Sequence, residues 1–291
     1  MTRKQQITIA HSPDADDAFM FYGLAAGHVG HPDIAYTHVL RDIQTLNESA
    51  REGRYAVTAL SVHAYAYVSD RYALLRSGAS MGEADYGPMV VARSPMKREV
   101  LRKTVIAIPG SLTTATLLLH LAFAHSEDGA GPSGPPLETI PLPFDQILPA
   151  VVAGKVAAGL LIHEGQLTYA QSGLVNVLPL YTWWHETYHL PMPLGVNGIR
   201  RDLDPLLQQQ IARDLRASIE YGLAHREAAL THAARYADGM APALIDRFVG
   251  MYVNHRTVAM GDAEATAIAT LLDVANGHGL IPARPSLAWV G

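Results

Sequence analysis

At 291 residues the chain is long enough for one large or two ordinary domains, each with its own core. With 49% hydrophobic and 17% charged residues it is not a disordered chain, and a net charge of −5 with scattered Lys and Arg provides no basic stripe for a nucleic-acid backbone. It has no cysteine, which removes disulfides, thiolate nucleophiles and Cys-based zinc sites together and fits a reducing compartment.

The chain opens MTRKQQITIAHSPDADD, whose apolar run, Ile7 to Ala10, is shorter than the roughly 7–15 residues of a signal peptide. No segment reaches the roughly 18 apolar residues of a membrane span. The expectation is a cytoplasmic protein with neither a membrane nor a nucleic-acid partner.

In chain order, QITIAHS predicts a first strand and DDAFMFYGLAAGHV a helix after it. DIQTLNESAREG carries Ile43, Leu46 and Ala50 at helical spacing, started by Asp42 and stopped by Gly53. YAVTALS is a strand, VHAYAYVSDRY a helix, and YALLRSG and PMVVARS are further strands. The pattern then restarts with strand TVIAIPG, helix TTATLLLHLAFAH and the polar loop SEDGAGPSGPP. ETIPLP is a strand, and FDQILPAVVAGKV a helix that Pro149 must shorten or kink. AAGLLIHE is a strand, and LVNVLPL and PLGVNGIR are short strands around an aromatic segment. From Asp204 onward, patterns over 205–225, 226–237, 242–254 and 262–279 predict an all-helical tail.

Short apolar runs alternating with helical patterns predict an α/β fold with largely parallel sheets. The restart near 95 and return near 195 divide it into a discontinuous α/β lobe, 1–93 plus 196–291, and an inserted lobe, 94–195. Two crossover strands would join the lobes across a cleft.

Three places share one grammar, an apolar strand, a hydroxyl-bearing turn and then a helix. They are ITIAHS ending at Ser12, VTALS ending at Ser61, and VIAIPGSLTTA with Ser111, Thr113 and Thr114. Helix starts at the carboxyl ends of strands present unpaired N–H groups to an anion, and hydroxyls add donors without bulk. Taken singly each reads first as a simple N-cap, but two from one half and one from the other favour convergence on a cleft. Asp14, Asp16 and Asp17 crowd the first helix start, where capping and the helix dipole account for at least two of the three. No phosphate-cradling glycine loop accompanies them, so no magnesium site is expected.

HETYH, His185 to His189, matches the H-E-x-x-H zinc motif, which requires a helix. Trp183 and Trp184 precede it and Pro191 follows closely, leaving room for one turn, so the expectation is no metal. His163 ends the strand AAGLLIHE and there faces a cleft, as either a strand-capping histidine or a base that titrates near neutrality. His11 shares that approach; His38, His63, His120, His125 and His255 are read as structural.

HSPDADDAFMFYGLAAGHV, DIQTLNESAREGRYAVTALSVHAYAYVSDRYALLRSGAS, YGPMVVAR, IPGSLTTATLLL, AAGLLIHEGQLTYAQSGL and LPMPLGVNGIRRDL follow one another in the order seen in 1,4-dihydroxy-6-naphthoate synthases. The chain resembles these enzymes of the futalosine route to menaquinone over nearly its whole length. The resemblance implies a type II periplasmic-binding-protein-like fold. It also implies a carbon–carbon lyase that splits cyclic dehypoxanthine futalosine into dihydroxynaphthoate and a three-carbon, dihydroxyacetone-type fragment. It puts the base on His163, and substrate contacts on Thr58, Ala59, Leu60, Thr114 and Ala115, beside Ser12, Ser61 and Thr113. The implied partner is a small carboxylate substrate, with no metal or organic cofactor. The competing readings are a solute-binding receptor for a small carboxylate, chorismate dehydratase of the same pathway, and a zinc hydrolase built on HETYH.

Overall fold

The computed structural model describes residues 4–83, 86–124, 136–237 and 239–291. Strand β1 (Gln5–His11) leads into helices α1 (Ala15–Met20) and α2 (Tyr22–Ala25), then β2 (Ile34–Leu40). Next come α3 (Ile43–Arg51), β3 (Val57–Ser61), α4 (Val62–Tyr65), β4 (Tyr72–Leu75) and β5 (Ser80–Gly82). The chain then crosses to a second sheet through β6 (Met89–Ala92), α5 (Arg98–Leu101), β7 (Ile106–Ile108) and α6 (Thr114–Ala124). That half continues with β8 (Thr139–Pro141), α7 (Phe144–Val152), β9 (Ala158–Leu161), α8 (Gly165–Thr168) and β10 (Val175–Pro179). Helix α9 (Leu180–Tyr188) carries the chain back to β11 (Met192–Arg200). Helices α10 (Pro205–Ala224), α11 (Arg226–Ala233), α12 (Pro242–Tyr252), α13 (His255–Val258) and α14 (Asp262–Gly277) follow, and β12 (Trp289–Val290) ends the chain.

The first sheet runs β12-β4-β11-β3-β1-β2 with β5 on β11, and the second runs β10-β6-β9-β7-β8. Both are mixed rather than largely parallel: β11 is antiparallel to β3, β4 and β5, and β6 is antiparallel to β9 and β10. The antiparallel partners are the strands on which the chain enters a sheet from the other half, whereas β1, β2 and β3 pair in parallel through helical crossovers. β6, assigned by the sequence to the first lobe, is an inner strand of the second sheet, and the return begins at Met192 rather than at 196. The chain passes to the second sheet after β5 and returns to the first through α9 and β11. The tail is not wholly helical, because Trp289 and Val290 pair in parallel with Leu74 and Leu75.

Local chemistry explains most elements. Asp42 caps α3 by accepting from Thr45 N. Asp204 does the same for α10, accepting from Leu206 N and Leu207 N with Pro205 at the first position. Gly159 lets α7 lie directly on β9, since a Cβ there would meet Ile147 at 2.5 Å. Pro149 lies inside α7, which stops three residues later. One apolar core spans both halves behind the cleft, joining Leu60, Leu118, Leu160, Trp184 and Leu271, all essentially inaccessible to solvent. The SEDGAGPSGPP loop and His125 fall, up to residue 135, outside the described residues. Among the described residues no helix is long and apolar enough to cross a membrane.

Candidate active site

Between the two halves lies a cavity with about 760 Å³ of empty space, part of it open to solvent. Ser12, Ala59, Leu60, Ser61, Thr113, Thr114, Ala115 and His163 all line it. Thr58 does not; it is inaccessible within β3, and its hydroxyl donates to Ala59 O at 3.1 Å.

The hydroxyls prove unequal. Ser12 Oγ donates to Asp14 Oδ2, and Ser12 N donates to Asp17 Oδ2 at 2.7 Å. Thr113 Oγ1 donates to Gly110 O at 2.9 Å and accepts from Thr116 N at 3.3 Å, which is capping. Thr114 Oγ1 donates to Leu194 O and accepts from His63 N at 3.4 Å, tying the two halves together. Ser61 differs: its Oγ accepts from Asn47 Nδ2 at 3.0 Å while its N–H donates to Asn47 Oδ1 at 2.9 Å. That leaves the Ser61 hydroxyl proton for a ligand. The first N–H groups of α6, at Thr114 and Ala115, have no carbonyl to bond within the helix and carry its positive dipole end.

Further ties close the cleft. Leu112 N donates to Gln44 Oε1 at 3.0 Å, and Gly110, at φ 147°, leaves no room there for a Cβ beside Gln44. Gly87 N donates to Gln166 Oε1 and Gln166 Nε2 to Tyr252 Oη, both at 2.8 Å.

His163 follows β9 with φ 52°, in the left-handed region that non-glycine residues seldom adopt. Its Nδ1 lies 3.4 Å from Asp14 Oδ2, and its side chain is 18% exposed. Its Nε2 is buried with no partner, and Phe144 packs edge-on against the ring at 4.9 Å. Burial lowers the imidazole's pKa, but Asp14, Asp16 and Glu164 outweigh it and hold the pKa above the usual histidine value.

Asp16, buried at 6% exposure, has an unpartnered Oδ1, and burial with Asp17 and Asp14 nearby pushes its pKa up to about 8. Burial and Asp14 also raise Asp17. Oxygens of this cluster are engaged by the Ser12 hydroxyl, the Ser12 N–H and the His163 ring, so protons offset its negative charge. A raised carboxyl pKa stabilises the fold below about 3.8 and loses that contribution as pH rises toward 8. Asp16→Asn is therefore expected to gain stability over wild type as pH rises from 5 to 8, on the order of 1 kcal/mol or about 2–4 °C at pH 8. Melting curves at both pH values check this, and a gain that shrinks with pH refutes it.

Sequence reasoning missed Asn47, Ser80, Gln166, Asn197 and Tyr252. All but Asn47 line the cavity, and Asn47 holds Ser61. Asn197 donates to Gly78 O at 3.0 Å, and its buried Oδ1 is without a partner. An asparagine within the strand pattern PLGVNGIR was a usable signal, since strands disfavour it. His11 does not reach the cavity. It stacks on Phe21 at 4.4 Å and meets His38 at 3.1 Å, and burial drives its pKa down to about 3.

HETYH lies on α9, a longer helix than the single turn expected, but the helix ends at Tyr188. His189 takes the left-handed cap, and the two imidazoles stand edge-on with centroids 5.9 Å apart. Trp184 points inward instead, its Nε1 donating to Leu190 O and Pro191 O.

The family model described as menaquinone biosynthesis matches residues 7–277. A 1,4-dihydroxy-6-naphthoate synthase of Thermus thermophilus is 39% identical over 98% of this chain and 100% of its own length. Its namesake from Streptomyces coelicolor is 36% identical over 95% of each chain. A crystal structure of an Archaeoglobus fulgidus protein superposes with TM-score 0.87 at 44% identity, covering 95% of this chain and 98% of that one. The alkanesulfonate-binding protein of Xanthomonas axonopodis pv. citri superposes with TM-score 0.70 at 14% identity, over 98% of this chain and 97% of that one, a likeness of fold alone. With a periplasmic-binding-protein-like fold around this cleft, the chain belongs to the menaquinone biosynthesis family and is an enzyme of that pathway.

Proposed function

We propose that the protein is a cytoplasmic 1,4-dihydroxy-6-naphthoate synthase that splits cyclic dehypoxanthine futalosine, with His163 as general base. The observation that carries this is the His163 imidazole, whose unpartnered Nε2 is buried at the cavity of a chain with two relatives of that name. Ile43, Leu60, Ala115, Ile162, Leu194 and Val196 give the cavity apolar walls suited to a fused ring. The substrate carboxylate binds the α6 N–H groups and the Ser61 hydroxyl. Asn197 Oδ1 accepts from a substrate hydroxyl. His163 takes a proton as the carbon–carbon bond breaks, and aromatisation drives the step. The two products together hold every atom of the substrate, so the imidazolium returns its proton and no cofactor is consumed.

The test is incubation of the protein with cyclic dehypoxanthine futalosine, in which dihydroxynaphthoate appears; no product under conditions where the Thermus enzyme gives it overturns the reading. Ser61→Ala is expected to weaken affinity for 1,4-dihydroxy-6-naphthoate about tenfold, as loss of one charge-assisted hydrogen bond. Calorimetric titration checks this, and an unchanged Kd removes Ser61 from the carboxylate site.

A further inference from the structure

We propose that Asp14 is the positioning residue for His163: a carboxylate from one half of the protein orients an imidazole from the other, so the base is complete only when the cleft is closed. This rests on the reading of His163 as the base. Asp14 precedes α1 beside the first sheet, whereas His163 follows β9 of the second, and their side chains meet across the cleft at 3.4 Å.

Asp14 is itself held. It is buried at 6% exposure, its Oδ2 accepts from the Ser12 hydroxyl, and its carbonyl accepts from Ala18 N in the first turn of α1. A carboxylate fixed opposite Nδ1 keeps a hydrogen on that nitrogen and leaves the Nε2 lone pair, which has no protein partner, for the substrate. When Nε2 takes the substrate's proton, Asp14 stabilises the imidazolium, while the electron pair left on the substrate forms its new double bond. A separation of 3.4 Å is long for a hydrogen bond and short enough to tighten around a bound substrate.

Other groups face the ring as well. Asp16 approaches from α1, and Glu164 follows in the chain. Helix α7 contributes the uncharged Phe144, and α12 contributes Phe248. Among the described residues Asp14 is the carboxylate within ion-pair distance, and it heads the charges that raise the imidazole's pKa.

The test measures kcat and KM for cyclic dehypoxanthine futalosine from pH 5 to 9 in wild type, Asp14→Asn, Asp14→Glu and His163→Asn, alongside melting curves. Asp14→Asn is expected to lower kcat at least about tenfold with KM within about threefold, and to move the acidic limb of the kcat profile to lower pH. Asp14→Glu, which keeps the charge, recovers part of the rate and returns the limb. A loss of rate with the limb unmoved, or a loss not relieved by Asp14→Glu, makes Asp14 merely structural and overturns the proposal. If Asp14→Asn does not fold, nitrogen-15 NMR of the wild-type ring decides: hydrogen on Nδ1 of neutral His163 is expected, and hydrogen on Nε2 overturns it. Wild-type turnover in His163→Asn fails the base reading itself; a dead His163→Asn beside an unaffected Asp14→Asn fails only the pairing.

Discussion

With His163 as the proposed base, His163→Asn is expected to lower kcat by about 10²–10⁴ while Kd for dihydroxynaphthoate stays within a few-fold. Asparagine suits this test because the backbone at 163 is left-handed, and asparagine tolerates that region better than other non-glycine residues. The variant thus keeps the turn after β9 and removes the nitrogen proposed to accept the proton. Stopped-flow turnover paired with titration of the product separates the two effects. Equal losses in affinity and rate would make position 163 a binding residue, and an undiminished rate would leave the reaction without this base.

Trp184→Ala costs about 3–5 kcal/mol of folding free energy. The indole is inaccessible to solvent, lies against Tyr188 at 4.4 Å between ring centroids, and donates from Nε1 to two main-chain carbonyls. Alanine leaves a cavity in the core that both halves share, on the helix that carries the chain from one sheet to the other. His185→Ala, one residue away on the exposed side of the same helix, stays within about 0.5 kcal/mol of wild type. Urea denaturation of both variants measures the contrast, and a Trp184→Ala loss below about 1 kcal/mol would refute this account of the packing.

The contrast between Trp184 and His185 also marks what was legible in the sequence. HETYH attracted attention as a motif, yet its neighbour in the WWHETY run holds the structure. The strand-turn-helix starts at Ser12, Ser61 and Thr113 were readable because apolar strands, small hydroxyl residues and helix periodicity coincide there. Which hydroxyl remains free was not, because it depends on distant partners: Thr114 meets Leu194 O, whereas Ser61 is held by Asn47. β2 escaped notice because it is an edge strand whose residues are mostly only half buried, so the apolar signal is diluted. β5 and β12 are two or three residues long and exist only by pairing. The meeting of Asp14 with His163 is tertiary, and no local pattern in either segment announces it.

The backbone at position 163 also sets a limit on engineering. A non-glycine residue in the left-handed region carries conformational strain on the order of 1 kcal/mol, which a glycine would relieve. Selection for thermal tolerance alone would drift toward glycine at this position and discard the imidazole proposed as the base. Any stabilised version of this protein has to draw its gains from elsewhere in the chain.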